Sequence, residues 1–176
     1  MKSIIPSDVS TKELHAYLLG AVGPRPIAFA STISNDGVPN LSPYSFFNVF
    51  SANPPVMIFS PARRVRDNTT KDSLTNCQDN KEVVINIVNY DIVQQMSLSS
   101  TEYPSEVNEF EKSGLTMLKS DIVKPFRVKE SPVQFECKVN KIIELGNQGG
   151  AGNLVIAEVV KLHIAEHILD ENGKID

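Results

Sequence analysis

The stretch Arg63-Arg64-Val65-Arg66-Asp67-Asn68-Thr69-Thr70-Lys71-Asp72-Ser73 gathers three guanidiniums and an ammonium at the start of a predicted helix. Guanidinium forks match phosphate oxygens, and a helix start adds unpaired N–H groups with partial positive charge. In a chain with 17 basic against 21 acidic residues, this local surplus suits a bound phosphate. A solvated basic turn balanced by nearby acids fits the same residues. A second cluster joins Ser31-Thr32-Ile33-Ser34 to Asn40-Leu41-Ser42-Pro43-Tyr44-Ser45-Phe46-Phe47-Asn48. Hydroxyls and amides beside aromatics are what a flat heteroaromatic ligand needs: faces to stack on, and a few polar groups to fix its orientation. The other reading is strand edges and a turn whose aromatics fill the core.

Other chemistries find less support. His163 and His167 would share one face of a strand but stand about 13 Å apart, too far to ligate one metal. Cys77 and Cys137 lie in no C-x-x-C or nucleophile motif and read as buried structural thiols. No G-x-G-x-x-G or P-loop pattern is present. Gly149-Gly150-Ala151-Gly152 could cradle a phosphate but has no following Lys.

These residues need elements to position them. Ser10-Thr11-Lys12-Glu13 is a capping box that predicts a helix through Leu14, Tyr17 and Leu18, with Gly20 as its stop. Ile27–Ser34 and Val38–Ser42 read as strands joined by Asn35-Asp36-Gly37, a type I′ reversal signal. Further strands are predicted at Val56–Ser60, Val83–Val88, Val133–Leu145 and Leu154–Leu169, with the glycine cluster 146–152 as a hairpin loop. Val133, Phe135, Cys137 and Val139 alternate with polar residues, which predicts one wet face; Leu154 to Leu162 is apolar on both faces. Short helices are expected at Thr69–Gln78, with Asp67 or Asn68 as N-cap, at Ile92–Ser99 and at Ser105–Lys112. The fold class expected is mainly β: a closed or half-closed antiparallel barrel with short helices, and not a doubly wound sheet.

The 176 residues are 41% apolar with a net charge of -4, which fits one domain over 1–176 and argues against a nucleic-acid partner. No run is long enough to span a membrane and no signal peptide is evident, so a cytoplasmic protein is expected.

The two clusters, taken with their flanks, resemble the flavin reductase-like family of FMN-binding split barrels. The matching residues are Pro24-Arg25-Pro26-Ile27-Ala28-Phe29-Ala30-Ser31-Thr32-Ile33-Ser34, Gly37, and Asn40 through Asn48. They continue with Ser51, Pro54-Pro55, Lys71-Asp72-Ser73, Asn76 and Val83–Val88. The resemblance covers most of residues 20–165. It implies a split barrel, usually homodimeric, with FMN near the subunit interface. By that resemblance Ser31, Thr32 and Ser34 line the flavin ring or ribityl. Asn40, Leu41, Ser42, Ser45 and Phe46 surround its pyrimidine side, largely through backbone atoms. Ser60, Arg66, Lys71 and Asp72 lie around the ribityl phosphate. The implied activity passes electrons from NAD(P)H through FMN to an acceptor, so no catalytic side chain is required. Two departures bear on this. Ser73 stands where Thr is frequent, and the hydroxyl is kept. Where reductase members often carry Gly-Asp-His, this chain reads Ala151-Gly152-Asn153-Leu154, which leaves open a non-catalytic FMN-binding or electron-transfer protein.

Overall fold

A computed structural model describes residues 1–175. Helix α1 spans Thr11–Ala21, and Ser10 Oγ accepts from the Glu13 N–H at 3.2 Å as the capping box predicts. Glu13 does not reach back, however; its carboxylate accepts from Tyr17 Oη. The helix also runs through Gly20 and buries none of its residues.

Strands β1 (Ala28–Ile33) and β2 (Pro39–Tyr44) form an antiparallel hairpin. Its turn is not type I′. Only Gly37 has positive φ, the Gly37 N–H donates to Ser34 O, and Ser34 N–H donates to Val38 O. That is a three-residue loop closed by a left-handed glycine. A second hairpin pairs β3 (Phe47–Ala52) with β4 (Pro55–Phe59). The sheet is completed by β5 (Glu82–Ile87), β8 (Val133–Glu144) and β9 (Asn153–Ile164), in the order β2-β1-β5-β8-β9-β4-β3. A two-stranded ribbon, β6 (Met117–Leu118) with β7 (Arg127–Val128), forms a second small sheet packed on it, with Val128 N–H donating to Asn86 Oδ1 of β5.

The two edge strands of this seven-stranded order, β2 and β3, are joined by only Ser45 and Phe46. So short a link spans roughly 10 Å at most, so the sheet must curl until its edges meet at that corner. Ser60 N–H donates to Phe46 O at 2.9 Å, which extends the β3–β4 ladder up to that corner. Inside the curl pack Ala28, Ala30, Phe59, Leu74, Ile85 and Val155; on the other face Phe29, Leu41, Ile92, Phe110 and Val128 form a second core. Period-2 alternation along β1 sends Ala28 and Ala30 one way and Phe29 the other.

Helix α2 covers Asp72–Asn80, starting three residues later than the sequence suggests. Asp67 caps a turn instead, accepting from Thr69 N–H and Oγ1, and the helix begins from Lys71 with no side-chain cap. Helix α3 spans Val93–Ser99. Helix α4 spans only Glu109–Ser113, because Asn108 Oδ1 caps it by accepting from Phe110 N–H. β9 ends at Ile164, and Leu162 is exposed, so its second half is not buried on both faces. On β8 the expected wet face fails at Gln134 and Glu136, both buried beneath the 119–128 segment. Hairpin loop 145–152 joins β8 to β9 as expected.

Candidate functional site

The β1–β2 hairpin and the first turn of α2 are tied by a buried polar network. Asn40 Oδ1 accepts from Ser73 Oγ at 2.6 Å and from Thr32 Oγ1 at 3.3 Å, while Asn76 Nδ2 donates to Thr32 Oγ1 at 3.0 Å. Asn40 Nδ2 donates to Glu109 Oε1 at 2.8 Å, and Leu41 N–H donates to Glu109 Oε2 at 3.1 Å. Burial pushes the Glu109 carboxyl above its ordinary range, against these hydrogen bonds. Of the predicted site residues, Ser31, Thr32 and Leu41 are fully enclosed, and the backbone N–H of Leu41 is already engaged. Ser34 lines a further cleft with Asp36 and Asp79, which adjoins the polar recess through Asn40 and Asp72.

The structure brings Ser45, Phe46, Ser60 and Lys71 together around a cleft of about 220 Å³, with Pro43 and Tyr44 in its walls. His15, Phe46 and Ala62 are shared with a neighbouring apolar cavity of about 340 Å³ beside α1. On the other side, Tyr44 and Lys71 also line a small polar recess with Asn40, Ser42, Arg64 and Asp72. The three adjoin as one trough, apolar at the α1 end and charged at the α2 end, where Arg64 and Lys71 stand among Asp72, Glu102 and Glu109.

Three polar groups on residues lining the trough make no side-chain hydrogen bond: Arg64 Nε, Tyr44 Oη and Lys71 Nζ. Tyr44 Oη is buried with no hydrogen bond, and burial pushes its phenol up to about 12. Lys71 has no salt bridge or side-chain hydrogen bond among the described residues, and desolvation followed by the charge of Arg64 lowers its pKa. Arg63 is spent on Asn68, whose Oδ1 accepts at 2.8 Å. Arg64 reaches Thr69, Thr70 and Asp72. Arg66, expected at the phosphate, is exposed and pairs with Asp67 at 3.0 Å and Glu102 at 2.7 Å.

The glycine loop is not a phosphate cradle. Gly150 N–H donates to Arg63 O and Ala151 O accepts from Arg63 N–H, so the loop packs as an extra rung on residues 62–65. A Cβ on Gly152 would stand 2.7 Å from Ser60 Oγ, which is why a glycine lies under that hydroxyl. Cys77 and Cys137 are packed in the core, and burial raises both thiols, Cys77 to about 12. His163 meets Glu136 at 2.7 Å, not His167; the adjoining Asp121 is already paired with Lys161 and Arg127.

Tyr44, Arg64, Glu102 and Glu109 belong to this region and escape sequence reasoning as individuals. Tyr44 and Arg64 lie inside the two clusters, but nothing in their spacing distinguishes them from Phe46 or Arg66. Glu109 meets partners almost seventy residues away and carries no local signal.

The sequence pattern described as the flavin reductase like domain matches residues 21–175. A relative from Aquifex aeolicus, itself uncharacterized, is 43% identical over 163 residues, 93% of this chain and 81% of that protein. Nitrilotriacetate monooxygenase component B from Bacillus cereus has a similar structure, with a TM-score of 0.92 at 33% identity, covering 99% of this chain and 86% of that one. A protein with a split barrel domain from Shewanella frigidimarina gives a TM-score of 0.81 at 25% identity, over 97% and 82%. None of the described helices is long and apolar enough to cross a membrane. Sequence pattern and strand order agree: the chain belongs to the family of flavin reductase like domains and is built as a mainly antiparallel split barrel.

Proposed function

We propose that the trough binds FMN, with the ring against Pro43, Tyr44 and Phe46 and the phosphate toward Lys71 and the arginine turn. The observation that carries this reading is Lys71, a partly buried ammonium in no salt bridge among the described residues, beside the buried Tyr44 hydroxyl that has no hydrogen-bond partner. A desolvated cation and an orphaned donor are both costly unless a ligand completes them. The joined cavities fall in the size range of small-molecule sites. Ser42, Ser45, Ser60 and the Asp72 end of α2 offer polar contacts along the way. Thr32 and Asn40 act from behind, tying the β1–β2 hairpin to α2, while Ser34 closes the hairpin turn, Leu41 N–H is bound to Glu109 of α4 and Ser31 is enclosed in β1.

Bound FMN would supply the electron-carrying chemistry, and the chain's work is to bind, orient and shield it. We assign it as a cytoplasmic, single-domain flavin oxidoreductase over residues 1–176 that takes electrons from NAD(P)H. Exposed Val49 and Phe50 on β3, close in sequence to Phe46 at the mouth of the trough, suit a homodimer. A second reading, FMN binding without turnover, is favoured by Asn153, which is buried with its Nδ2 donating to Pro61 O and leaves no acid or His at Ala151–Leu154.

Titrating the purified protein with FMN, followed by flavin fluorescence, tests the binding. Saturable quenching is expected, and its absence removes the proposal. Adding NADH and then NADPH without oxygen separates the two readings: bleaching of the flavin supports the oxidoreductase, and a flavin that stays oxidised with both supports binding alone.

A further inference from the structure

Glu102, in the loop between α3 and α4, places a carboxylate among the cations of the trough. Its Oε2 lies 2.7 Å from Arg66 Nη1 and its Oε1 3.5 Å from Arg64 Nε. That Nε is buried and has no hydrogen bond, so Glu102 approaches it without satisfying it. Glu102 lines the same recess as Arg64, Lys71 and Tyr44. A single side-chain bond ties its loop to α2, from Ser105 Oγ to Asp72 Oδ1 at 3.0 Å.

We infer that Glu102 is a latch that imitates a phosphate: it bridges Arg64 and Arg66 in the ligand-free protein and yields them to a phosphomonoester. This rests on the FMN reading above and adds a specificity residue to it. A carboxylate and a phosphate present similar oxygens to a guanidinium, but the phosphate carries more charge and more acceptors. Glu102 is half exposed and Arg66 is mostly exposed, so the bridge is weak and a dianion can displace it. Displacement frees the fork of Arg66 and lets the buried Arg64 Nε find an acceptor. Residue 102 therefore sets how strongly the chain prefers a phosphorylated flavin to an unphosphorylated one.

The test is a set of titrations of wild type, Glu102→Gln and Ser105→Ala with FMN, riboflavin and inorganic phosphate. Glu102→Gln keeps the shape and removes the competing charge. Its FMN dissociation constant should fall by about two- to fivefold, while riboflavin affinity stays unchanged. The difference should shrink at about 1 M salt. Ser105→Ala, which loosens the other tie without touching an arginine, should move FMN affinity in the same direction. Equal or weaker FMN binding by Glu102→Gln overturns the latch, since a carboxylate that merely positions the arginines would be missed. If wild type binds neither flavin, the FMN reading falls. The latch is then judged on inorganic phosphate alone, which must bind the Gln variant more tightly than wild type.

Discussion

Lys71 Nζ stands 5.5 Å from the centroid of the Tyr44 ring. The ring face attracts the cation, but it satisfies none of the three ammonium protons, and the phenol hydroxyl is itself unpaired. Tyr44 is held from behind by Phe59, at 5.4 Å between ring centroids, so its place is fixed by the core. Both residues thus line the same trough, Tyr44 as part of a rigid wall. Such preorganisation lowers the ordering cost of binding a ligand there.

Glu136 contributes to acid stability. Burial alone would raise its carboxyl, but the N–H groups of Asp121, Ile122 and Val123 and the ring of His163 outweigh it and hold it at about 2. A folded-state value below the ordinary carboxylate value of about 4.3 means that the stabilisation is complete above that pH and is lost as pH falls toward 2. Urea unfolding between about pH 5 and pH 3 should show this slope in wild type and a flatter one in Glu136→Gln. Glu136→Ala, which leaves three backbone donors unpaired, should cost at least about 3 kcal/mol near neutral pH.

Arg25 holds helix α1 to the barrel. Its Nη1 donates to the carbonyls of Leu19 and Val22, and its Nε donates to Ser45 Oγ at 3.3 Å. Because α1 buries no residue, little else fixes it over the trough. Hydrogen exchange across Thr11–Ala21 should quicken by about tenfold or more in Arg25→Met, with the sheet strands unaffected. Lysine should not rescue it, for lack of the planar fork. Uniform protection in the variant would show that α1 is held by other contacts.

Gly152 and Ser60 should be coupled. Gly152→Ala drives a methyl to 2.7 Å from Ser60 Oγ, whereas the next neighbours, Leu145 Cδ1 at 3.5 Å and Ser60 Cβ at 4.0 Å, tolerate it. The single variant should lose about 1–2 kcal/mol by overpacking. In a Ser60→Ala background the same change should be close to neutral. A double-mutant cycle by thermal unfolding measures the coupling, and strict additivity would contradict the close approach.

Much of the architecture is legible in the chain because it is written locally. The alternation of β8, the glycines of loop 146–152 and the turn glycine at 37 each act within a few residues. What the chain conceals is set by distant partners. Glu136 reads as solvent-facing by period, yet the 121–123 backbone folds over it to satisfy its carboxylate. Phe47–Ala52 does not read as a strand because it lies at the sheet edge with Val49 and Phe50 outward. The clusters locate the trough, but three arginines look alike in sequence, while in the fold Arg63 is consumed by Asn68, Arg64 is half-buried beside Asp72 and Arg66 is exposed and paired with Asp67 and Glu102.

The most direct measurement compares wild type with Lys71→Met in paired titrations with FMN and riboflavin. Loss of a charge-assisted contact worth about 1.5–3 kcal/mol should weaken FMN by roughly 10- to 150-fold and leave riboflavin nearly unchanged. FMN and riboflavin weakened equally, or FMN bound as tightly as by wild type, would contradict a phosphate seated on Lys71.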